Sequence, residues 1–238
     1  MIVKLTEKII DKFRVRFRED ILNPIFGRFR CKFLINNKFT IISNNCWGGH
    51  VYRYFNLAYD SPTIGLYMFS EDYIKFIYNL KEYLNADLRF ISYKESRYRD
   101  ILESRGGRDI ECPIGLLNDI EIVFLHYHSQ DEAYEKWTRR KNRIHWDHII
   151  YKMSEQNLCN EYHLRMFDML KGNKMVFVTK DYGLNSQVIF GDYRGENEIL
   201  NDTLHFRKYV HLVKLINGKP FKKRQPQNNI YEQKKNKR

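Results

Sequence analysis

The sequence predicts an α/β fold in which a central, mainly parallel or mixed sheet is flanked by helices. Two observations carry that expectation. Apolar, β-branched runs at residues 39–43, 120–125 and 175–179 end at polar or glycine-bearing loops, as strands buried on both faces do. The stretches between them set apolar residues three and four apart, the helical period. A third observation, the placement of charge, delimits the folded body. Residues 1–38 carry ten Lys/Arg against four Asp/Glu, and residues 219–238 carry eight against one, whereas residues 39–218 carry 23 against 24. The expected organisation is a basic amphipathic N-terminal segment (1–30), an α/β domain (31–217) and a disordered basic tail (218–238).

The elements follow in order. Residues 4–22 put Ile9, Ile10, Phe13, Phe17, Ile21 and Leu22 near one helical stripe among basic residues, and Asn23-Pro24 ends it. Residues 39–43 are the first strand. Ser43-Asn44-Asn45-Cys46-Trp47-Gly48-Gly49 is a tight turn into a helix over 51–57. Asp60, Ser61 and Thr63 lie in a loop, 64–69 is strand-like, and a helix opens at Ser70 with Ile74, Ile77, Leu80 and Leu84 on its buried face. Residues 88–91 are extended, 93–112 polar, and 120–128 a second strong strand that would put His126 and His128 on one face with Ile120, Ile122 and Phe124. Ser129 and Glu132 form a capping box for a helix over 131–143. A helix over 156–170, a strand at 175–179, a short strand at 188–190 and a last ordered element at 204–215 complete the body.

The chemistry gathers at the first strand's end. A helix start carries N–H groups without intrahelical partners, and glycines let a ligand approach the backbone, so the junction suits an anion or oxyanion. Cys46 or Ser43 would be the nucleophile, Asn44 or Asn45 the oxyanion donor, and Gly48, Gly49, Trp47 and Asp60 the binding groups. The same residues also read as a capped helix over a core. His126, expected at the carboxyl end of a strand, would be the general base, acting on the nucleophile or directly on an acceptor hydroxyl. Arg139, Arg140 and Arg143 crowd one helix with Trp137 and call for an acidic partner, either a bound phosphate or carboxylate or the chain's own Glu132 and Glu135. Four cysteines without C-x-x-C spacing, and histidines without H-E-x-x-H, point to no metal site and to reduced thiols in the cytoplasm. Glycine-rich dinucleotide and P-loop motifs are absent from the sequence. Basic ends around a neutral body favour peripheral contact with an anionic membrane over nucleic acid.

Ile42-Ser43-Asn44-Asn45-Cys46-Trp47-Gly48-Gly49, Asp60-Ser61-Pro62-Thr63-Ile64-Gly65-Leu66, Asp119-Ile120-Glu121-Ile122, Phe124-Leu125-His126-Tyr127 and Lys136-Trp137-x-Arg139-Arg140-x-x-Arg143-Ile144, in that order, closely resemble an uncharacterised bacterial domain family. Its members carry exopolysaccharide or capsule biosynthesis labels, and its pattern has Asn where this chain has His145 and His148. The resemblance implies an enzyme of surface-polysaccharide assembly, a transferase that moves an acyl or glycosyl group from a coenzyme A thioester or nucleotide sugar onto a carbohydrate or lipid-linked glycan. The alternative is a non-catalytic component that binds a glycan or lipid-linked intermediate.

Overall fold

The computed structural model describes residues 14 and 16–223. Residues 4–13 and 15 of the expected first helix (4–22) and residues 224–238 of the expected disordered tail (218–238) lie outside that range. The start of that tail is instead ordered, with Lys222 forming a β-bridge to Val210 and the Phe221 carbonyl accepting the His211 N–H at 2.9 Å. The described strands are β1 (Thr40–Ser43), β2 (Arg89–Ile91), β3 (Ile114–Leu117), β4 (Ile120–Val123), β5 (Ile149–Ser154), β6 (Asn173–Val178) and β7 (Gln187–Ile189). The helices are α1 (Asn23–Cys31), α2 (Trp47–Phe55), α3 (Ser70–Tyr78), α4 (Leu80–Asn85), α5 (Arg99–Arg105), α6 (Arg108–Glu111), α7 (Gln130–Lys141), α8 (Glu161–Met169) and α9 (Leu212–Ile216). A π-turn over Arg18–Leu22 precedes α1.

The fold is α/β, with β1, β5, β6 and β7 making an all-parallel sheet in that order. Side chains alternate across a strand, and here each face has its own core. Ile41, Ile150, Met175 and Phe177 join a cluster with Trp47, Val51, Phe55 and Phe206. Ile42, Met153, Val176 and Val178 join another with Tyr73, Phe76, Trp137 and Phe167. Helices thus cover both faces, which is what keeps a parallel sheet dry.

Between β1 and β5 the chain inserts a second, antiparallel sheet in the order β2-β3-β4. This revises several expectations. The strand-like stretch at 64–69 turns instead, pairing only through an isolated Tyr67–Val123 bridge. The strong apolar run at 120–128 is strand only to Val123, so His126 stands past the end of an antiparallel strand, not a parallel one. The helix from Ser70 breaks at Asn79, and the polar stretch at 93–112 contains α5 and α6. Residues 156–160 are a loop before α8. The central strand β5 carries a lysine within its apolar run, and that polar interruption hid it from a reading of periodicity.

Two close approaches position the cleft. Gly27 of α1 lies against α2, where a Cβ would come within 2.5 Å of Asn56 Cβ. Gly65 has φ of +79° and faces Tyr127, whose ring atom would sit 3.0 Å from any added Cβ. The Gly65 carbonyl accepts from the His126 N–H at 3.0 Å, which brings the segment after β4 to the loop between α2 and α3.

Candidate functional site

At the carboxyl end of β1 the polar residues form a buried network. The Asn44 carboxamide donates to the Ser154 carbonyl at 3.0 Å and accepts the Ser154 N–H at 3.0 Å, joining the ends of β1 and β5. Asn45 Oδ1 accepts from the Trp47 N–H at 3.1 Å, starting α2, and from Ser43 Oγ at 3.0 Å. It also accepts from Lys152 Nζ at 2.9 Å, while its Nδ2 donates to Asp202 at 2.9 Å. Lys152 and Asp202 are a fully enclosed ion pair, with Ser154 Oγ donating to the same carboxylate at 2.5 Å. Burial pulls the Lys152 ammonium down against the field of Asp202. Burial would raise the Asp202 carboxyl, but Lys152, Asn45 and Ser154 hold it below the usual carboxylate range.

Above this network lies a basic cleft. The helix begins at Trp47, earlier than the sequence suggests, so Cys46, His50 and Arg53 share one face at steps of four and three. With Tyr59, His126, Tyr127, Lys136 and Arg140 they line a cavity of about 390 Å³. Arg140 is nearly buried, donating to the Ile64 carbonyl at 3.1 Å and to the Tyr127 hydroxyl at 2.5 Å, with its guanidinium 5.2 Å from the Tyr59 ring centre. Arg53 Nε donates to the Tyr59 hydroxyl at 2.9 Å. A second cavity of about 550 Å³ shares Cys46, His50 and His126, and is lined besides by Asp109, Gln156, Asn157 and Asn201 together with Leu125, Ile199 and Leu200. His126 also edges a third, with Arg108 and His128.

His126 therefore stands where three cavities meet. The surrounding protein, followed by the charges of Arg108, His50 and Arg53, lowers its pKa below the ordinary imidazole value, so the ring is neutral at pH 7. Cys46 differs. Its thiol lies 3.6 Å from the Leu66 carbonyl, and burial, then the Asp202 charge, push it up to about 12 against the pull of Lys152. It is a thiol and not a thiolate at neutral pH.

Of the residues expected at the site, Cys46, Gly49, His126 and Arg140 line the basic cavity, and Asn45 edges the second. Ser43 and Asn44 are fully buried in the network below. Trp47 packs against Phe177 and Phe206, and Trp137 against Phe76 and Phe124, so both indoles belong to the cores. Gly48 lies under Ile41 and Ile64. Asp60 pairs with His145 at 3.0 Å, Arg139 with Glu135 at 2.9 Å, and Arg143 is exposed past the end of α7. The acids expected to meet the basic row on α7 are thus partly its own, Glu132 holding Lys136 as well. His50, Arg53 and Tyr127 escaped the sequence reading, whereas Tyr59 was expected only as a glycan contact of a non-catalytic binding component. The signal for His50 and Arg53 was their helical spacing from Cys46, masked by placing the helix four residues too late. Among the described residues no three His, Cys, Asp or Glu side chains converge as a metal site, and no helix is long and apolar enough to cross a membrane.

Residues 18–217 match the family described as domain of unknown function DUF1919, which takes in both sheets and every residue of the cleft. The chain belongs to the DUF1919 family. The chain is also similar to an uncharacterised protein of Haemophilus influenzae (strain ATCC 51907 / DSM 11121 / KW20 / Rd), 32% identical over 150 residues, or 63% of this chain and 66% of the relative. The chain therefore spans just under two thirds of that relative's length.

Proposed function

We propose that the DUF1919 cleft is the active site of a cytoplasmic transferase that modifies a sugar during assembly of bacterial exopolysaccharide or capsule, using a phosphate-bearing glycosyl donor. What supports the reading is the pairing, round one cavity, of a neutral imidazole with the cations Arg53, Lys136 and Arg140. A donor's phosphates would lie against the cations, guanidinium groups suiting them by their fork geometry. The acceptor would lie in the second cavity, whose carboxamides and carboxylates suit a polyhydroxyl chain. His126 takes the proton from an acceptor hydroxyl as that oxygen bonds to the donor's anomeric carbon. The bond from that carbon to the phosphate oxygen breaks, and the phosphate departs with the electron pair, its charge met by the cations. The protonated state of Cys46 argues against a covalent acyl-thioester intermediate and for direct transfer.

The test is thermal-shift and mass-spectrometric screening of the purified protein against nucleotide sugars, coenzyme A and acyl-coenzyme A, beside His126→Ala and Lys136→Ala. A nucleotide sugar should stabilise the wild type and be turned over. His126→Ala should keep binding and lose turnover, and Lys136→Ala should weaken binding. Donor binding without turnover, with polysaccharide output in cells unchanged by His126→Ala, would make the protein a binding component and sink the catalytic reading.

A further inference from the structure

Half of the large apolar side chains exposed on the described surface fall in one short stretch, residues 17–35: Phe17, Ile21, Ile25, Phe26, Phe29, Phe33 and Ile35. Ile25 is 63% exposed, Phe29 57% and Ile35 75%, more than isolated surface hydrophobes call for. Phe17, Ile21, Ile25, Phe29 and Phe33 follow one another at steps of four. In an α-helix such a row drifts by about 40° at each step. The wider turn at Arg18–Leu22 drifts the other way and holds the row together. The rings of Phe29 and Phe33 meet edge to face at 5.3 Å, which carries the row past the end of α1.

Residues 14–35 carry Arg14, Arg16, Arg18, Arg28, Arg30 and Lys32 against two acids, with Arg30 turned onto the Asn23 side chain and the Tyr54 carbonyl. Glu19 is turned inward onto His50 and Arg53, and Asp20 lies 3.4 Å from Arg16. Beside the patch, a cavity of about 900 Å³ lined by Arg18, Phe33, Arg207, Lys208, Lys214 and Lys223 extends the cationic surface. Aliphatic and aromatic side chains ringed by cations match one environment, the interface of a bilayer with anionic headgroups. A second copy of the chain would set these cations against themselves, and RNA would leave the isoleucines without an apolar partner.

We propose that residues 17–35 dock the protein onto an anionic bilayer surface, with the phenylalanines and isoleucines sunk to the acyl boundary and the arginines on the headgroups. The inference is independent of the reaction proposed above. It has a geometric consequence for the cleft, because Glu19 donates no side chain to the patch but holds His50 and Arg53 at the cavity wall, and Gly27 seats α1 on the end of α2. Docking therefore fixes the cleft beside the leaflet.

The test is co-sedimentation of the full chain with vesicles of phosphatidylcholine alone or mixed with phosphatidylglycerol, using wild type, Phe26→Asp/Phe29→Asp and Arg28→Glu/Lys32→Glu, with Phe29→Trp as a fluorescent reporter. The wild type should bind the mixed vesicles at least tenfold better than the neutral ones and lose part of that binding in high salt. Both double variants should lose roughly tenfold or more. The emission of Phe29→Trp should shift to shorter wavelength only with anionic vesicles. Equal binding by wild type and Phe26→Asp/Phe29→Asp, or an unshifted reporter, would overturn the proposal. So would a dimer by light scattering that this variant dissociates, tight RNA binding with none to vesicles, or a large drop in its melting temperature, which would mark the face as one the chain itself covers.

Discussion

At the scale of single residues, Cys46 and His126 line the same cleft but differ in protonation state. His126 has its pKa lowered and Cys46 has its pKa raised, so only the imidazole is in its reactive form near pH 7. Protonation disables a base, and a lowered pKa delays protonation as pH falls. The transfer rate should therefore stay level through neutrality and drop only below pH 6.5, the ordinary histidine value. A profile of kcat/KM against pH checks this, and a rate that instead climbs through the alkaline range would point to the thiol. His126→Gln should cost about 10²–10⁴-fold in kcat, while Cys46→Ser should change it little. Cys46 and His126 were legible as candidates because each ends an apolar run at a polar loop. Their surroundings were not, since Arg53 and Tyr59 reach the cavity only once α2 and the following loop are folded against each other.

At the scale of elements, the docking of α1 on α2 depends on the missing side chain of Gly27. A Cβ there would meet Asn56 Cβ at 2.5 Å and backbone atoms at 2.8 Å, with no flexible side-chain end to give way. Gly27→Ala should destabilise the protein by about 1–3 kcal/mol, measured by urea unfolding, and should loosen the Glu19 contact with His50 and Arg53. The strands β1, β6 and β7 were readable because β-branched and aromatic runs dominate them. β2 to β4 were only partly readable, because β3 follows directly on Cys112-Pro113 and contains Gly115, where an added Cβ would strike Leu88 and Phe124. α7 was readable from Ser129, whose hydroxyl accepts the Glu132 N–H at 3.1 Å. The Glu132 carboxylate reaches His128 N–H, one residue before the cap.

At the scale of the whole molecule, the parallel sheet is tied to its C-terminal third by the enclosed Lys152–Asp202 pair. Removing one partner strands the other charge, so Lys152→Met alone should cost about 3–5 kcal/mol. Lys152→Met with Asp202→Asn should cost less than the two single changes together, as a double-mutant cycle in urea would show. The overall class was legible from run lengths and spacing. The insertion of a second sheet was not, because no local pattern states that Thr40 finds its partner at Ile149. That pairing bears on how the chain acquires its shape during synthesis. When the ribosome has delivered β1, the whole antiparallel sheet and α7, the strand at 40–43 still has no neighbour, and its apolar face waits. Long-range parallel pairing of this kind closes slowly and leaves adhesive edges open meanwhile, so yield in the cell should depend more on the pace of translation and on chaperone supply than on the final stability of the fold.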